Sequence, residues 1–491
     1  MMRRIRALVL GVSALVVLAL PGCSWDDIVR TELPPDAMDL DVLKDEDGAL
    51  QIARGAIYAF RGGVGGANFA YVVVAGRFTD ELTTGYYFKE GVNVDAAASS
   101  LDAIDKRDIE EDMELRSSTV ERWFRNLNLA RNQAKEGILY LRNYAPRLPK
   151  DLVGHLFAIR GMTMIYLADM FCSGIPLSEF GPHAGWIHGE GLSTEEVYLR
   201  AVAEFDSALA NLPDSVRLQH FAKVGKGRAL LNLGKFEEAA AVVADVPTSF
   251  KYQNKHALDY SGSFVNNWVR SLNETSAPES YFGTIGDREG GNGLPFVSSN
   301  DPRTPFVPAP MQDQDYPNTT YMVPAWMVPE GAPWFGTSKR PKNAEHVTIA
   351  SGIEARLIEA EAAVNRNDPS FLQILNTLRT TCTDVATCPD PAPAGTGGVA
   401  GLPPLTDPGN RDARIKMVYD ERAYWTFLQG IRQGDLRRLV RVYGWPQDQV
   451  YPTGEYPKGP ITLYGDYTNI PMPHSERVTN PKYKGCINRD A

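Results

Sequence analysis

The feature that most constrains the fold is a helical repeat of apolar residues between residues 119 and 246. The clearest stripe begins after Ser193, which forms a capping box with Glu196, so that hydroxyl and carboxylate satisfy the free amides of a first helical turn. Its apolar members recur at three- and four-residue steps, and they are Tyr198, Val202, Phe205, Leu209 and Leu212. This spacing places them on one helix face, and Pro213 is expected to end the helix. The region is therefore predicted to be almost wholly helical.

Two further segments indicate how these helices pack. Residues 151–171 are apolar nearly all round, which predicts a central helix buried on several faces. Residues 229–240 alternate large and small side chains around Gly234-Lys235, a pattern similar to the tetratricopeptide helix-turn-helix. Paired helices with short links favour a stacked right-handed array. The predicted fold class is mainly α: a tetratricopeptide-like array of helix pairs with an irregular insert.

The predicted insert covers residues 250–345. Ten prolines fall between Pro295 and Pro341, and helices do not persist through prolines at this density. The aromatic residues between them are Phe296, Phe306, Tyr316, Tyr321, Trp326, Trp334 and Phe335. So much aromatic surface on irregular chain indicates either a satellite core or a binding face. Helical patterns return after the insert, at 352–366, 369–381, 411–429 and 433–442.

The N-terminus has the pattern of a bacterial export signal. Three arginines within the first six residues precede the apolar run Ala7–Leu20, which is shorter than the roughly 20 residues that span a bilayer. Its end resembles a lipobox in which Cys23 is the lipidated residue. The alternative is an ordinary cleaved signal in which Cys23 is incidental. Residues 24–45 are acidic and contain two adjacent prolines, which predicts a tether.

Charge and composition exclude one large class of function. The chain of 491 residues carries 60 acidic and 50 basic side chains, a net charge of −10. Residues 1–22 contain three arginines and no acid, so the remainder has a net charge of −13. A surface of that charge repels phosphate backbones, and no basic tract interrupts it, so no nucleic-acid partner is expected.

Four cysteines follow Cys23, and an even number in an exported chain favours disulfides. Cys382 and Cys388 lie close together in a Pro- and Gly-bearing stretch and are candidates to close a small loop. That pairing would leave Cys172 with Cys486, although sequence alone does not establish it.

Catalytic and metal-binding motifs are missing from the sequence. No G-x-S-x-G elbow is present, and Gly225-Lys226-Gly227 has neither the spacing nor the hydroxyl residue of a phosphate loop. His183 and His188 lie in a Gly-rich loop, which favours a surface loop over a metal site. We therefore expect no catalytic residue, no metal and no cofactor, although sequence neither names nor excludes a glycosidase pair among so many acids.

Five segments, in order along the chain, resemble motifs of the SusD/RagB family of surface-exposed outer-membrane lipoproteins. The first is residues 157–177, where Cys172-Ser173-Gly174 stands in place of the family's usual Gly-Asp. The others are Asp301-Pro302-Arg303, Glu354–Ala362 with Leu375–Arg379, Asp420–Arg438, and Ile470–Pro473 with Glu476, Asn480 and Pro481. Five matches in this order cover essentially the whole mature chain. The Ser-Trp-Asp-Asp run after Cys23 also resembles the acidic surface-export signal of such lipoproteins.

The resemblance implies a non-enzymatic binding protein. Family members form a hinged lid on a SusC-like TonB-dependent outer-membrane transporter and hold a glycan or other nutrient above its pore. Flat aromatic rings suit the apolar C–H faces of sugars, and polar side chains read the hydroxyls. The residues expected to contact ligand are Tyr86, Tyr87, Tyr321, Trp326 and Trp334, with Asn68 and Asp80 as polar readers. For any one aromatic residue, local packing among the prolines is the competing interpretation.

The same resemblance sets the predicted organisation and location. The chain divides into a signal peptide (1–22), a tether (23–45), an N-terminal helical repeat region (46–250), an irregular ligand-facing region (251–345) and a C-terminal helical region (346–491). A lipid anchor on Cys23 would hold it on the outer membrane, facing outward. The arginines at 422, 432, 437 and 438 are expected to pair with acids of the 354–361 helix.

Two other functions remain open from the sequence. The helical repeats suit a scaffold that binds another protein's peptide in its groove, which would place polar and aromatic residues on the concave face of 119–246. A surface glycoside hydrolase is the other alternative, and it would need converging acids with shifted pKa values in a cleft.

Overall fold

The structure is a computed structural model. It describes residues 43–65, 70–82, 103–109, 118–181, 185–254, 293–296, 299–304, 306–308, 322–324, 347–381, 401–454 and 463–489. The helices of the N-terminal part are α1 (Glu46–Gly65), α2 (Tyr71–Phe78), α3 (Ser118–Tyr144), α4 (Lys150–Met170), α5 (Thr194–Ala210), α6 (Val216–Asn232) and α7 (Phe236–Val243). Those of the C-terminal part are α8 (Gly352–Asn365), α9 (Ser370–Thr381), α10 (Arg411–Trp425), α11 (Arg432–Arg441), α12 (Gln447–Val450) and α13 (His474–Thr479).

The long helices stack in the order of the chain. From α3 to α9 each helix packs against the next, and α1 packs against α3. This succession is the array of helix pairs that the apolar repeats predict. The helix α4 is its centre: nearly all of its residues after Phe157 are buried, as its all-round apolar sequence predicts. The second helix of the α6–α7 pair is short, with eight residues, and Gly234 makes the turn between them with a φ of +72°.

Small residues set the distance between α4, α5 and α6. The ring of Phe205 on α5 lies between Gly161 of α4 and Gly225 of α6. A Cβ atom added at Gly225 would lie 2.4 Å from the Phe205 ring, and one added at Gly161 would lie 2.9 Å from it. Both distances are shorter than real carbon contacts, so glycine at these positions is what lets the three helices approach.

Local signals at the helix ends are found where the sequence predicts them. The Ser193 hydroxyl accepts a hydrogen bond from the Glu196 amide at 3.2 Å, and the Glu196 carboxylate accepts one from the Ser193 amide at 2.7 Å. The predicted capping box is therefore confirmed. The helix α10 ends at Trp425, four residues before the predicted end, because Leu428 and Gly430 adopt positive φ angles of 55° and 70°.

Short strands interrupt the region that is predicted to be almost wholly helical. Residues 175–192 form two antiparallel pairs, β1 (Ile175–Pro176) with β4 (Gly191–Leu192) and β2 (Glu179–Gly181) with β3 (Gly185–Ile187). This stretch is the non-helical part of that region. Strands of two or three residues are too short to show an alternating pattern in the sequence.

Another pair of strands closes the predicted insert at its base. The strand β5 (Lys251–Asn254) pairs antiparallel with β8 (Val347–Ser351), so Asn254 lies opposite Val347. The chain thus leaves the helical frame and returns to it at one place. Inside the insert, β6 (Phe306–Pro308) pairs antiparallel with β7 (Met322–Pro324).

The C-terminal segment is held against the end of α4. Phe171 bridges to Ile470, and the Cys172 amide donates to the Ile470 carbonyl at 2.9 Å. Cys172 forms a disulfide with Cys486, across a sequence separation of 314 residues. Cys382 and Cys388 lie outside the described residues, as does Cys23. Within the described part of the chain, none of the helices has the length and apolar character needed to span a membrane.

Candidate functional site

Asp80 joins the two parts of the chain that carry most of the predicted ligand contacts. It lies just after α2, two residues before the described chain stops at Leu82, and Tyr86 and Tyr87 follow. The Asp80 carboxylate accepts hydrogen bonds from Arg432 Nε at 2.7 Å and Nη2 at 2.8 Å. It also accepts one from the amide of Leu294, in the insert, at 3.0 Å. One carboxylate therefore joins the chain just after α2 to Leu294 of the insert and to Arg432 of α11.

This placement changes the interpretation of Asp80. The residue is only 1 % exposed, and its two oxygens are bonded to Arg432 and Leu294. The sequence predicts that Asp80 forms hydrogen bonds with ligand hydroxyls. A buried carboxylate that is already bonded to Arg432 and Leu294 does not fit that role. Asp80 is therefore a buried anchor between the end of α2, the insert and α11. Sequence offers no local signal for this role, because its partners lie 214 and 352 residues away.

The neighbouring Glu81 is a second buried acid at this anchor. One of its oxygens accepts a hydrogen bond from the Leu428 amide at 2.9 Å, and among the described residues the other has no hydrogen-bond partner. Burial disfavours the charged form, and so raises the pKa of Glu81 to about 8. The residue is therefore a neutral acid over most of the physiological pH range.

Asp301-Pro302-Arg303, one of the segments that carry the resemblance, fastens the insert to α10. The Arg303 guanidinium donates to Glu421 at 2.8 Å and to Asp301 at 2.7 Å, and it lies 5.0 Å from the Trp425 ring centroid. Arg379 donates to the same Glu421 at 2.6 Å. Planar guanidinium groups suit such bidentate, stacked contacts, so this motif has a structural role in the fold.

Phe296 tests the two interpretations of the aromatic insert at one position. Its side chain is fully buried, and its ring centroid lies 5.1 Å from that of Tyr424 and 4.9 Å from that of Phe427. Phe296 therefore belongs to the hydrophobic core of the frame, where it packs on α10 and on the turn that follows it. The predicted ligand residues Asn68, Tyr86, Tyr87, Tyr321, Trp326 and Trp334 lie outside the described residues.

The arginines of the C-terminal motif were expected to pair with acids of α8, and two of the four lie beside one. Arg438 donates to both oxygens of Glu361 at 2.8 Å, and Arg422 lies 3.8 Å from the same carboxylate while bonding Asp435 at 2.9 Å. For the other two the expectation is wrong. Arg432 binds Asp80, and Arg437 donates to backbone carbonyls at the end of α4.

A buried acid on α4 completes this polar network. The Asp169 carboxylate accepts hydrogen bonds from Tyr198 at 2.6 Å and from Asn232 at 3.1 Å. Burial raises its pKa to about 6. The network lies inside the helical frame, where it fixes α4, α5, α6 and α11 against one another. Among the residues that the structure describes, no group of three or more potential metal ligands comes together.

The fold is thus a helical-repeat frame to which the insert is joined by the β5–β8 pair and by the contacts of Asp80 and Arg303. A comparison with protein-family models finds no match, and neither does a comparison with curated proteins. Solved structures do match over nearly the full length.

Three of these structures illustrate the likeness. A SusD-like protein from Bacteroides fragilis aligns with a TM-score of 0.61 at 13% identity, over 92% of this chain and 98% of its own. A SusD-like carbohydrate binding protein from Bacteroides vulgatus aligns with a TM-score of 0.58 at 14% identity, over 89% of this chain and 97% of its own. A laminarin binding SusD-like protein aligns with a TM-score of 0.58 at 14% identity, over 90% and 99%. The chain therefore has the SusD-like fold, as the sequence resemblance predicts.

Proposed function

We propose that this chain is a non-enzymatic, glycan-binding lipoprotein of the SusD/RagB type. The observation that carries the proposal is the SusD-like fold, which extends over 89% of the chain or more in each of the three structures compared. Two of those structures are described as a carbohydrate binding and a laminarin binding protein. The five sequence segments that resemble the family support the same function independently of the alignment.

The proposed ligand face is the aromatic part of the insert together with the 83–100 segment. Trp326 is the leading contact, because Pro324 and Pro329 restrict the backbone on both sides of it. A flat ring held in this way offers an apolar platform to a sugar ring at little cost in conformational entropy. The anchor at Asp80 supports the proposal, since it joins the chain that leads to Tyr86 and Tyr87 to the insert.

The second part of the proposal concerns delivery. The protein is attached to the outer membrane by a lipid on Cys23, and residues 24–45 serve as its tether. It closes as a lid on a SusC-like TonB-dependent transporter, so that the bound glycan lies above the pore. This part depends on the family resemblance and on the signal sequence.

Affinity electrophoresis through gels that contain laminarin or other neutral glycans tests the ligand face. We expect the parent chain to be retarded by at least one glycan and the W326A/W334A variant to migrate freely. F180A is the control, because Phe180 is an exposed aromatic residue of β2, outside the insert. Unchanged retardation of W326A/W334A would move the site elsewhere, and a parent chain that no glycan retards would refute glycan binding.

Purification from detergent-solubilised outer membranes tests the partner. We expect a TonB-dependent barrel to be recovered together with the parent chain. The C23A variant should lose its membrane attachment while its purified soluble form keeps the parent's glycan binding. Recovery of the parent chain without any barrel would refute the lid proposal.

A further inference from the structure

The turn between α10 and α11 is held in a strained form against α2. Within it Leu428 and Gly430 have φ angles of +55° and +70°, and the left-handed region is uncommon for a residue other than glycine. The Leu428 side chain lies against Gly76, and the Tyr71 ring lies against Gly430; added Cβ atoms would meet them at 3.3 and 2.7 Å. Packing on α2 thus helps to hold the turn in this form.

Glu81 bonds the strained residue of this turn. It is the third residue after α2 ends at Phe78, and its side chain is buried. Its carboxyl accepts a hydrogen bond from the Leu428 amide at 2.9 Å. The next residue, Leu82, donates its own amide to the Gly76 carbonyl at 2.8 Å, which folds the chain back onto α2. Glu81 therefore connects the end of α2 to the turn.

The same turn and Asp80 hold residues 294–296 of the insert, the anchored segment. The Leu294 amide donates to the Asp80 carboxylate at 3.0 Å. At the other end of the anchored segment, the Phe296 ring centroid lies 4.9 Å from that of Phe427, which precedes the strained residue of the turn. Two adjacent acids therefore act on one piece of the insert, the first directly and the second through the turn.

The Glu81 carboxyl is surrounded by charges that are already paired. The charged groups that act on it most strongly are Asp80, beside it in the chain, and Arg432 and Asp435 of α11. Of these three only Arg432 is cationic, and it donates two hydrogen bonds to Asp80. Asp435 is bonded to one arginine of α10 and one of α11. The turn itself, residues 426–431, carries no titratable side chain. An ionised Glu81 would thus be a further negative charge in a buried cluster whose cations are taken.

We propose that Glu81 is a pH-sensitive switch for the attachment of the insert: its neutral carboxyl keeps the anchored segment on the frame, and loss of its proton releases that segment. An ionised carboxylate is stable where water reaches it, so its charge favours an open state in which the chain after α2 leaves the turn. The turn then no longer holds Phe427 against Phe296. The inference rests on the proposed function only in taking the insert to carry the ligand.

The open state gains as the pH rises. A solvent-exposed glutamate loses its proton near pH 4.5, whereas burial raises the pKa of Glu81 in the closed state to about 8. Between these two values the open state binds one proton fewer than the closed state. Its equilibrium constant should therefore rise by up to about tenfold per pH unit and level off above pH 8.

Hydrogen exchange measured by mass spectrometry at pH 5.5 and pH 7.5, without any ligand, tests the proposal. Overlapping peptides report the amides of Leu294 and Phe296. After correction for the chemical exchange rate at each pH, the equilibrium constant for opening should be about 30- to 100-fold larger at pH 7.5 in the parent chain. In E81Q, which resembles the neutral acid, it should be the same at both pH values. Circular dichroism of E81Q should match that of the parent.

E359Q is the matched control, because Glu359 of α8 is another acid whose pKa burial raises, and it pairs with Arg356 outside the anchor. Its anchored segment should keep the pH dependence of the parent. A pH-independent opening in the parent, or an E81Q variant that keeps the pH dependence, would overturn the proposal. So would equal protection of Leu294 and of the buried amides of α4, because the segment would then open only when the whole frame unfolds.

Calorimetric titration with laminarin and other neutral glycans separates this switch from the proposed function. A parent chain that binds none of them, yet shows the expected exchange at Leu294, would refute glycan binding and leave the switch standing. A parent chain that binds laminarin while its exchange at Leu294 does not depend on pH beyond the chemical rate would overturn only the switch.

Discussion

The ion pair between Asp80 and Arg432 provides the sharpest test of how the insert is held. Both side chains are nearly fully buried, and the carboxylate receives two hydrogen bonds from the guanidinium at 2.7 and 2.8 Å. Removing one member of a buried pair leaves an uncompensated charge, which typically costs about 3–5 kcal/mol. We therefore expect D80N and R432M each to lower the free energy of unfolding by about that amount.

The double variant shows whether the pair or the individual residues matter. In D80N/R432M no unpaired ion remains, so the loss of stability should be smaller than the sum of the two single losses by at least about 1 kcal/mol. Urea denaturation followed by tryptophan fluorescence measures all four chains. D245N is the surface control: Asp245 pairs with Lys223 at the protein surface, and its loss should cost less than about 1 kcal/mol.

A local measurement connects this energy to the insert. The Leu294 amide donates to Asp80, so hydrogen exchange at this amide should accelerate in R432M, where the acceptor has lost its partner. Strictly additive losses in the double variant, with unchanged exchange at Leu294, would show that Asp80 and Arg432 act independently and would refute the anchor.

Three further predictions concern the frame. Unfolded glutamate loses its proton near pH 4.5, whereas folded Glu81 keeps it to about pH 8. The free energy of unfolding therefore falls as the pH rises between these values, by up to about 1.4 kcal/mol per pH unit. The E81Q variant should lose this slope when its denaturation is measured at several pH values. Replacing Cys172 and Cys486 by serine should lower stability by about 3–5 kcal/mol, and a reductant should then change the thermal unfolding midpoint less than it does in the parent chain. G225A should destabilise the protein by about 1–3 kcal/mol, because its methyl group would clash with the Phe205 ring. G55A should stabilise it by up to about 1 kcal/mol, because alanine favours the helix and meets no neighbour there. Equal unfolding midpoints for these two variants would contradict this packing.

Local sequence patterns predict the elements of this fold because the interactions behind them are short-ranged. The capping box at Ser193 acts over three residues, and the stripe that contains Phe205 acts over the turns of one helix. The same reasoning fails for β1 to β4, whose two- and three-residue strands depend on partners and not on their own periodicity.

The candidate site divides in the same way. Prolines and aromatic residues identify the insert from composition, whereas only the structure shows that Arg303 joins it to Glu421 of α10. Nothing local to Asp80 shows that it bonds Arg432, and nothing local to Phe296 shows that its ring packs on Tyr424. These contacts join residues more than 100 positions apart, and a pattern within one segment carries no information about them.

By itself, the sequence of this protein determines a mainly helical array, the position of its insert and a net negative charge that disfavours nucleic acid. Only the tertiary structure decides which charges are buried together and which remain exposed. Arg432 and Arg54 look alike in the sequence, yet one is held by a buried carboxylate and the other lies exposed on α1. The physical reason is that the effect of a charge depends on its burial and its neighbours, and both are set by how distant helices pack.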